Sequence, residues 1–200
     1  HDVSDITKDK EAKKFLESID GTPTRNGVIK VINRPFDNGI GGGFGSFNHA
    51  YQKHKEDYEY WFFTEDNVIQ TKDNYFKQSI KQLEENERVG YICGYRHTTL
   101  KNNEHEKSHC HGGCGTTHIS HLNKVNKNRG ELSYYKEPFN DEMIENINDV
   151  EAFGSHAWAW YSGFEDQGEV GFTYSFIESG LLLQDIQMDD KFCCYYGDCY

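Results

Sequence analysis

The chain has 200 residues and a formal net charge of −12, a size that fits one domain with a substantial core. The acidic balance and the lack of a long basic run argue against nucleic acid as a partner. No apolar run reaches the about 18 residues that a transmembrane helix requires, so no transmembrane segment is expected. The six cysteines do not form a dense disulfide framework, and we expect a reduced, cytoplasmic protein, with peripheral membrane attachment as an alternative. The chain begins at His1 rather than Met, which leaves an upstream segment open.

The first predicted element is a helix of about three turns that ends at Gly21-Thr22-Pro23. Its apolar residues recur at helical spacing: Ala12, Phe15, Leu16 and Ile19. The apolar run Val28–Ile32 then predicts a strand that ends at Asn33. Five glycines follow within seven residues, from Gly39 to Gly45. Such a glycine-rich turn lets the backbone approach a ligand closely.

The next helix has an apolar face made of Phe44, Phe47 and Tyr51. The aromatic run Tyr58–Phe63 predicts a strand that leads directly into the acidic turn 64–67. In α/β folds, ligands bind at the edge of the sheet where the strands end. The acidic turn is therefore the first candidate site.

A further helix, capped by Asp73, has the apolar stripe Phe76, Ile80 and Leu83, and Val89–Gly94 predicts a buried strand. The alternation of helices and strands predicts an α/β fold in which helices cover a mostly parallel sheet. Later predicted elements are a strand over 131–135, helical turns over 141–147, an aromatic strand over 152–161, a helix around 172–177 ended by Gly180, and a strand over 181–186.

Residues 98–130 are polar and lack apolar periodicity, which predicts a long loop inside a single domain of residues 1–200. Within this loop, Cys110, Cys114, His118 and His121 have a spacing compatible with a tetrahedral Zn²⁺ site. A disulfide cross-link is a second reading of these cysteines, and Cys193, Cys194 and Cys199 could add ligands or disulfides. The alternative to both is a mobile polar loop that closes over ligands.

Four segments, in chain order, carry a resemblance to a known family. Asp2–Asp5 is similar to "D-N-G-S-x-D", and Asn38–Gly43 with Asn48 is similar to "N-x-G-x-x-G-G-x-N". Trp61–Val68 is similar to a hydrophobic strand followed by "D-x-D", and Gly168–Gly180 is similar to the helix "E-D-x-D-F-x-x-R-x-x-x-x-G". In this order the segments resemble the GT-A nucleotide-sugar glycosyltransferases, particularly family-two and rhamnosyltransferase-like members.

The resemblance implies a GT-A-like (Rossmann-like), mostly parallel sheet flanked by helices that lacks its first strand. It also implies a metal-dependent, inverting transfer of a sugar from a nucleotide-sugar donor to a saccharide or glycan acceptor. The chain departs from the family pattern at Thr64, Gly168, Gly171 and Ser175, where the family has Asp, Glu, Asp and Arg. These departures keep two alternatives open, which are a non-catalytic sugar-binding module or fragment of a larger glycosyltransferase, and a zinc-stabilised interaction domain.

The resemblance also implies roles for individual residues. Asp66 is the ligand of Mn²⁺ or Mg²⁺, and Glu169 is the base that deprotonates the acceptor, with Glu165 and Asp166 as alternatives. Without the resemblance, Asp66 belongs to an ordinary surface turn and Glu169 merely favours a helix N-terminus. The donor-binding residues are Asp2, Asn38, Gly39, Gly41, Gly42, Gly43, Asn48, Glu65 and Asp66. The acceptor-binding residues are Trp158, Trp160 and His156.

Overall fold

The computed structural model describes residues 9–34, 42–64, 68–70, 73–94, 96–101, 105–110, 113–132, 168–187 and 194–196. The helices in these ranges are α1 (Asp9–Ile19), α2 (Gly42–His54), α3 (Tyr75–Glu85), α4 (Ile119–Arg129) and α5 (Gly168–Glu178). The strands are β1 (Pro23–Thr24), β2 (Gly27–Val28), β3 (Tyr60–Phe63), β4 (Val68–Gln70), β5 (Val89–Cys93), β6 (Arg96–Lys101), β7 (His105–Cys110), β8 (Gly115–His118), β9 (Leu182–Asp185) and β10 (Cys194–Tyr196). None of these helices is long and apolar enough to span a membrane.

The central sheet has four strands in the order β3-β8-β5-β9. Strand β8 is antiparallel to both of its neighbours, whereas β5 and β9 are parallel. Strands β3, β5 and β9 therefore point the same way and β8 runs against them. The α/β class is confirmed, but the expectation of a mostly parallel sheet is wrong for the described strands, because β8 is inserted between β3 and β5.

One face of the sheet is covered by α2 and α5 through a cluster of aromatic rings. The ring centroids of Phe47 and Phe63 are 4.8 Å apart, and those of Phe63 and Phe172 are 5.3 Å apart. Tyr91 of β5 lies 4.9 Å from Phe176. Full burial of one such side chain contributes about 1.5–3 kcal/mol, so this cluster is a main source of stability. The predicted apolar face of α2 is confirmed.

The other face of the sheet is covered by α3. Its buried residues are Tyr75, Ser79, Gln82 and Leu83. The predicted stripe is confirmed at Leu83 but is shifted by one residue at its start, since Phe76 is 46% exposed and Tyr75 is fully buried in its place. Asp73 is not the cap either, because Asn74 occupies the cap position in the left-handed conformation, with φ of 64° and no capping side-chain hydrogen bond.

The predicted loop over 98–130 is wrong. Strands β6 and β7 form an antiparallel hairpin, β8 enters the central sheet, and α4 follows it directly. Helix α4 and strand β8 were not predicted because they bury few apolar side chains. Helix α4 buries only Leu122 and Val125 among its residues, and β8 buries Thr116 and Thr117, which are polar in isolation.

The predicted strand Val28–Ile32 is also wrong. Only Gly27 and Val28 pair, with the two residues of β1, and residues 29–33 are irregular. In place of strand pairing, this region makes other hydrogen bonds. For example, Val31 N–H donates to Asp20 Oδ1 at 2.8 Å. The helix α1, the strands β3, β5 and β9 and the helix α5 are confirmed. Glu131 and Leu132 are not in a strand, and the predictions for 133–135, 141–147 and 152–161 lie outside the described residues.

Candidate functional site

The carboxyl ends of β3, β5 and β9 lie at one edge of the central sheet. A single row of paired residues crosses the sheet there: Phe63, Gly115, Cys93 and Asp185. The row continues into the loops, since Gly94 N–H donates to the Cys114 carbonyl at 3.0 Å and Ile186 N–H donates to the Cys93 carbonyl at 2.9 Å. This row and its loops, which we call the carboxyl edge, are where an α/β sheet presents a ligand site.

Two helices begin near this edge. Helices α2 and α5 precede β3 and β9, and each runs back across the sheet before its strand starts. Phe44 in the first turn of α2 lies 5.5 Å from Phe172 of α5, which in turn contacts Phe63. The N–H groups of a first helical turn lack intrahelical partners and carry partial positive charge. The edge therefore suits a ligand with anionic oxygens.

Glycine at position 113 permits the close approach of α2 to the carboxyl edge. Gly113 has a φ of 62°, and a Cβ at this position would lie 2.7 Å from the ring of Phe44. The predicted glycine turn is shorter than expected, because Gly42 and Gly43 already belong to α2. Gly39 and Gly41 lie outside the described residues.

Several predicted site residues fall in the described helices. Asn48 lies on α2, and its Oδ1 accepts a hydrogen bond from Leu132 N–H at 3.1 Å, so this side chain holds the segment after α4. Its donor-binding role stays a prediction. Glu169 is the second residue of α5. The other predicted residues lie outside the described ranges: Asp2, Asn38, Gly39, Gly41, Glu65, Asp66, His156, Trp158, Trp160, Glu165 and Asp166.

Helix α5 has no charged side chain at two positions where the resemblance has Asp and Arg. Gly171 and Ser175 are both buried. The Ser175 hydroxyl donates to the Phe172 carbonyl within the helix. The described inner face of α5 is therefore a packing surface.

The predicted zinc site is not assembled. Cys110 forms a disulfide with Cys93, with 5.3 Å between their Cα atoms, so its sulfur is not a thiolate ligand. Cys114 immediately precedes β8 and His118 ends it, which separates them by about 13 Å at about 3.3 Å per residue. In the part of the chain that the structure describes, no group of three or more His, Cys, Asp or Glu residues is placed to hold a metal ion.

The disulfide also corrects the expectation of reduced cysteines, at least for Cys93 and Cys110. Both residues are fully buried beside Tyr91 and Phe172. Sequence reasoning missed Cys93, although one signal was present. The signal is that Cys93 ends the buried strand β5 and that Cys110 follows the next polar stretch.

No protein-family model matches the chain, and neither a curated protein nor a solved structure matches it. Its function is therefore inferred from its own residues and their placement.

A second feature lies at the opposite edge of the sheet. His118 and His121 are neighbours there, with 6.0 Å between ring centroids, and they line an open depression of about 370 Å³ together with Tyr60, Leu83, Glu84, Glu87 and Ser120. His118 Nδ1 caps α4 by accepting from Ser120 N–H at 3.2 Å. Burial, followed by the nearby His118, lowers the pKa of His121. The His118 imidazole thus caps the start of α4.

Proposed function

We propose that this chain is a nucleotide-sugar-dependent glycosyltransferase domain whose donor lies at the carboxyl edge. The observation that supports the proposal best is the row Phe63, Gly115, Cys93 and Asp185, with the amino ends of α2 and α5 beside it. Strand ends and helix N-termini that meet at one edge are typical of sites for phosphate-bearing ligands. The motif resemblance independently assigns the donor to the same elements.

The chemistry of glycosyl transfer makes two demands on this edge. The departing nucleoside diphosphate gains negative charge, and the N–H groups of the first turns of α2 and α5 are suited to stabilise it. Asp66 and Glu65, which follow β3 in the sequence, are carboxylates, the oxygen ligands that Mn²⁺ and Mg²⁺ prefer. A bound ion of this kind supplies charge neutralisation at the diphosphate oxygens. In the proposal Asp66 holds the ion and Glu65 assists.

The acceptor hydroxyl requires a base. Glu169, in the first turn of α5, takes this role in the proposal, with Glu165 and Asp166 as alternatives. Trp158, Trp160 and His156 are proposed to line the saccharide acceptor site. Inversion at the anomeric carbon follows if the base acts directly on the attacking hydroxyl.

The second candidate function is sugar binding without transfer. Gly171 and Ser175 favour it, because both are buried and uncharged where the resemblance has Asp and Arg. A site without this Asp and Arg still has the carboxyl edge for the donor, but it lacks charged groups that the family pattern has for transfer.

The disulfide changes the cellular compartment that we propose for the protein. Buried disulfides form and persist in oxidising compartments, and the cytoplasm keeps most thiols reduced. The Cys93–Cys110 bond therefore favours an oxidising environment over the cytoplasm.

The test begins with thermal unfolding in the presence of nucleotide sugars, with and without Mn²⁺. We expect one donor to raise the melting temperature in a metal-dependent way, since a ligand that binds only the folded state stabilises it. Asp66→Ala is expected to remove this shift and to lower turnover by about a hundredfold or more. Asp73→Ala is the matched control, because it removes an exposed carboxylate from a nearby turn.

The two candidates give different results. Donor binding with release of nucleoside diphosphate and a glycosylated product supports the transferase. Donor binding without any product supports the sugar-binding module. If no nucleotide sugar shifts the unfolding of a well-folded sample, both candidates are wrong.

A further inference from the structure

Helix α1 has an apolar stripe that is largely open to solvent. The stripe consists of Ala12, Phe15, Leu16 and Ile19, which share one side of the helix. The Phe15 side chain is 61% exposed, Ala12 is exposed as well, and Leu16 and Ile19 are only half-buried. Apolar anchors at this spacing are the usual contact points of an amphipathic helix that docks on a partner.

The core of the protein does not use this stripe. The buried apolar clusters of the described residues lie on the two faces of the central sheet, and no residue of 9–33 belongs to them. In the described ranges, no helix or strand packs extensively against α1. Hydrogen bonds join its end to the β1–β2 region, as when Thr22 N–H donates to the Ile19 carbonyl at 3.0 Å. The stripe is therefore available as a docking surface.

The two flanks of the stripe carry charges of both signs. At about 100° per residue, Lys13, Glu17 and Asp20 lie along one flank, and Glu11 and Ser18 lie along the other. All five of these residues are exposed. One basic and three acidic side chains thus border the apolar residues.

The signs of these charges favour a second copy of the chain over a lipid surface. Helices that lie in a membrane surface carry Lys or Arg beside the apolar face, where they meet anionic headgroups, and three carboxylates here would meet them instead. A patch with both signs suits a copy of itself, because a two-fold interface brings each patch against the same patch. Residues 9–34 have six basic and four acidic residues, so repulsion between two copies is weaker at this end than the net charge of −12 implies.

We propose that α1 mediates a homodimer in which the stripes of two copies pack antiparallel about a two-fold axis beside Phe15. In this register Phe15 packs on Leu16 of the partner subunit, and Ala12 packs on Ile19 of the partner subunit. Lys13 then lies between Glu17 of the partner subunit and Asp20 of the partner subunit, and the two-fold axis repeats this contact. The stripe is short, so we expect a weak dimer with a dissociation constant of about 10–100 μM.

The first experiment is sedimentation velocity of the full chain at concentrations from about 5 to 500 μM. Wild type is expected to shift from monomer to dimer across this range. Phe15→Ser is expected to weaken dimerisation by about a hundredfold or more, because one aromatic ring is lost from each copy. Tyr58→Ser is the matched control, since it removes a 53% exposed ring that lies outside α1, and it is expected to change the dissociation constant by less than about twofold. Circular dichroism confirms that each variant is folded.

The second experiment tests the register through charge. Lys13→Glu is expected to weaken the dimer by about tenfold, because two ion pairs are replaced by two repulsive contacts. Lys14→Glu is the matched control, since it makes the same change of charge on the polar side of α1, and it is expected to have less than about a twofold effect. Lys13→Glu/Glu17→Lys is expected to restore the dimer to within about threefold of wild type, since the swap exchanges the two signs across the interface.

These experiments do not depend on nucleotide-sugar binding, so the dimer and the transferase stand or fall separately. A wild type that stays monomeric at the highest concentration overturns the proposal, and so does a dimer that Phe15→Ser leaves intact. Equal effects of Lys13→Glu and Lys14→Glu, or a swap that does not restore the dimer, reject the antiparallel pairing. A monomer that sediments with vesicles of about 20% phosphatidylserine in phosphatidylcholine, and loses them in Phe15→Ser, would assign the stripe to a lipid surface instead.

Discussion

Gly115 shows how one residue fixes the middle of the carboxyl edge. It starts β8 and pairs with Phe63 on one side and Cys93 on the other. A Cβ at this position would collide with the Tyr91 ring and with the Ile92 carbonyl oxygen. The Tyr91 ring has no room to retreat, because it is fully buried and its hydroxyl donates to the Gly113 carbonyl. The absence of a side chain at Gly115 is therefore a requirement of the sheet.

Gly115→Ala is expected to lower the free energy of unfolding by about 3 kcal/mol, near the upper end of the usual cost of overpacking. The reason is that one of the colliding atoms belongs to the backbone. Urea denaturation monitored by tryptophan fluorescence measures the change. Gly27→Ala is the control, since a Cβ there meets no atom within 4 Å, and it is expected to be nearly neutral. Equal stabilities of the two variants would contradict the packing of β8 against Tyr91.

At the scale of the element, the disulfide holds the base of the β6–β7 hairpin against the sheet. Cys93 and Cys110 are 17 residues apart in sequence, and each ends a strand. The bond therefore closes a loop that contains the whole hairpin. Without it, the hairpin would remain attached through its own short base, the Gly94–Cys114 hydrogen bond and the contact with Thr173.

Replacement of both cysteines, as Cys93→Ala/Cys110→Ala, is expected to lower the free energy of unfolding by about 3 kcal/mol, the entropic value for a loop of about this length. Denaturation with and without a reductant measures the effect. The reductant should destabilise wild type and leave the double variant unchanged, which makes the variant its own control. Alkylation of Cys93 and Cys110 in the native, unreduced protein would show that the bond is absent.

The elements also show where sequence reasoning worked. Helices α1, α2 and α5 were predicted because their apolar residues recur at helical spacing, and strands β5 and β9 were predicted because each is a short, largely apolar run. The phase at the start of α3 was missed because Phe76 fits a helical stripe as well as Tyr75 does. Both rings contact Phe62 of the sheet, and only the burial of Tyr75 with Cys114 distinguishes the two positions. Strand β8 was missed because its burial comes from neighbours on both sides, a property that no local pattern of four residues contains.

The candidate site was also predicted only in part. The end of β3 at Phe63 was predicted, since an aromatic strand that runs into polar residues is a local signal, and the binding of a ligand after it stays a prediction. The row that completes it was not predictable, because Gly115, Cys93 and Asp185 come from three distant segments. The residues predicted to bind zinc are not brought together for a related reason. A short separation in sequence between Cys114 and His118 becomes the full length of β8 once the strand is extended.

At the scale of the whole molecule, two partly buried histidines link stability to pH. Burial is the largest cause that lowers the pKa of His49 and of His121, and nearby positive groups add to it. Both side chains are thus neutral in the folded state at a pH where the unfolded chain begins to bind protons, about 6.5. Stability rises with pH wherever the unfolded state binds more protons.

The free energy of unfolding is therefore expected to fall as the pH drops through about 6.5 towards the lower folded-state pKa values of these two residues. The measurement is urea denaturation at several pH values between about 8 and 5.5. His121→Gln is expected to flatten part of this dependence, and His49→Gln is expected to flatten another part. If neither variant changes the slope, other groups control the acid sensitivity. A rise in wild-type stability on acidification in this range would contradict the burial of both imidazoles.

The order β3-β8-β5-β9 has a consequence for the protein during its synthesis. When β5 leaves the ribosome, β3 is already present, but the two strands are not neighbours in the final sheet. The aromatic residues of β3 and the fully buried residues of β5 must wait for β8, which is made some 25 residues later. Phe172 and Phe176 arrive later still. During this interval two apolar strands of the nascent chain lack their shared partner. Chaperone binding is expected to protect the protein most in this interval, because exposed apolar strands are prone to aggregation.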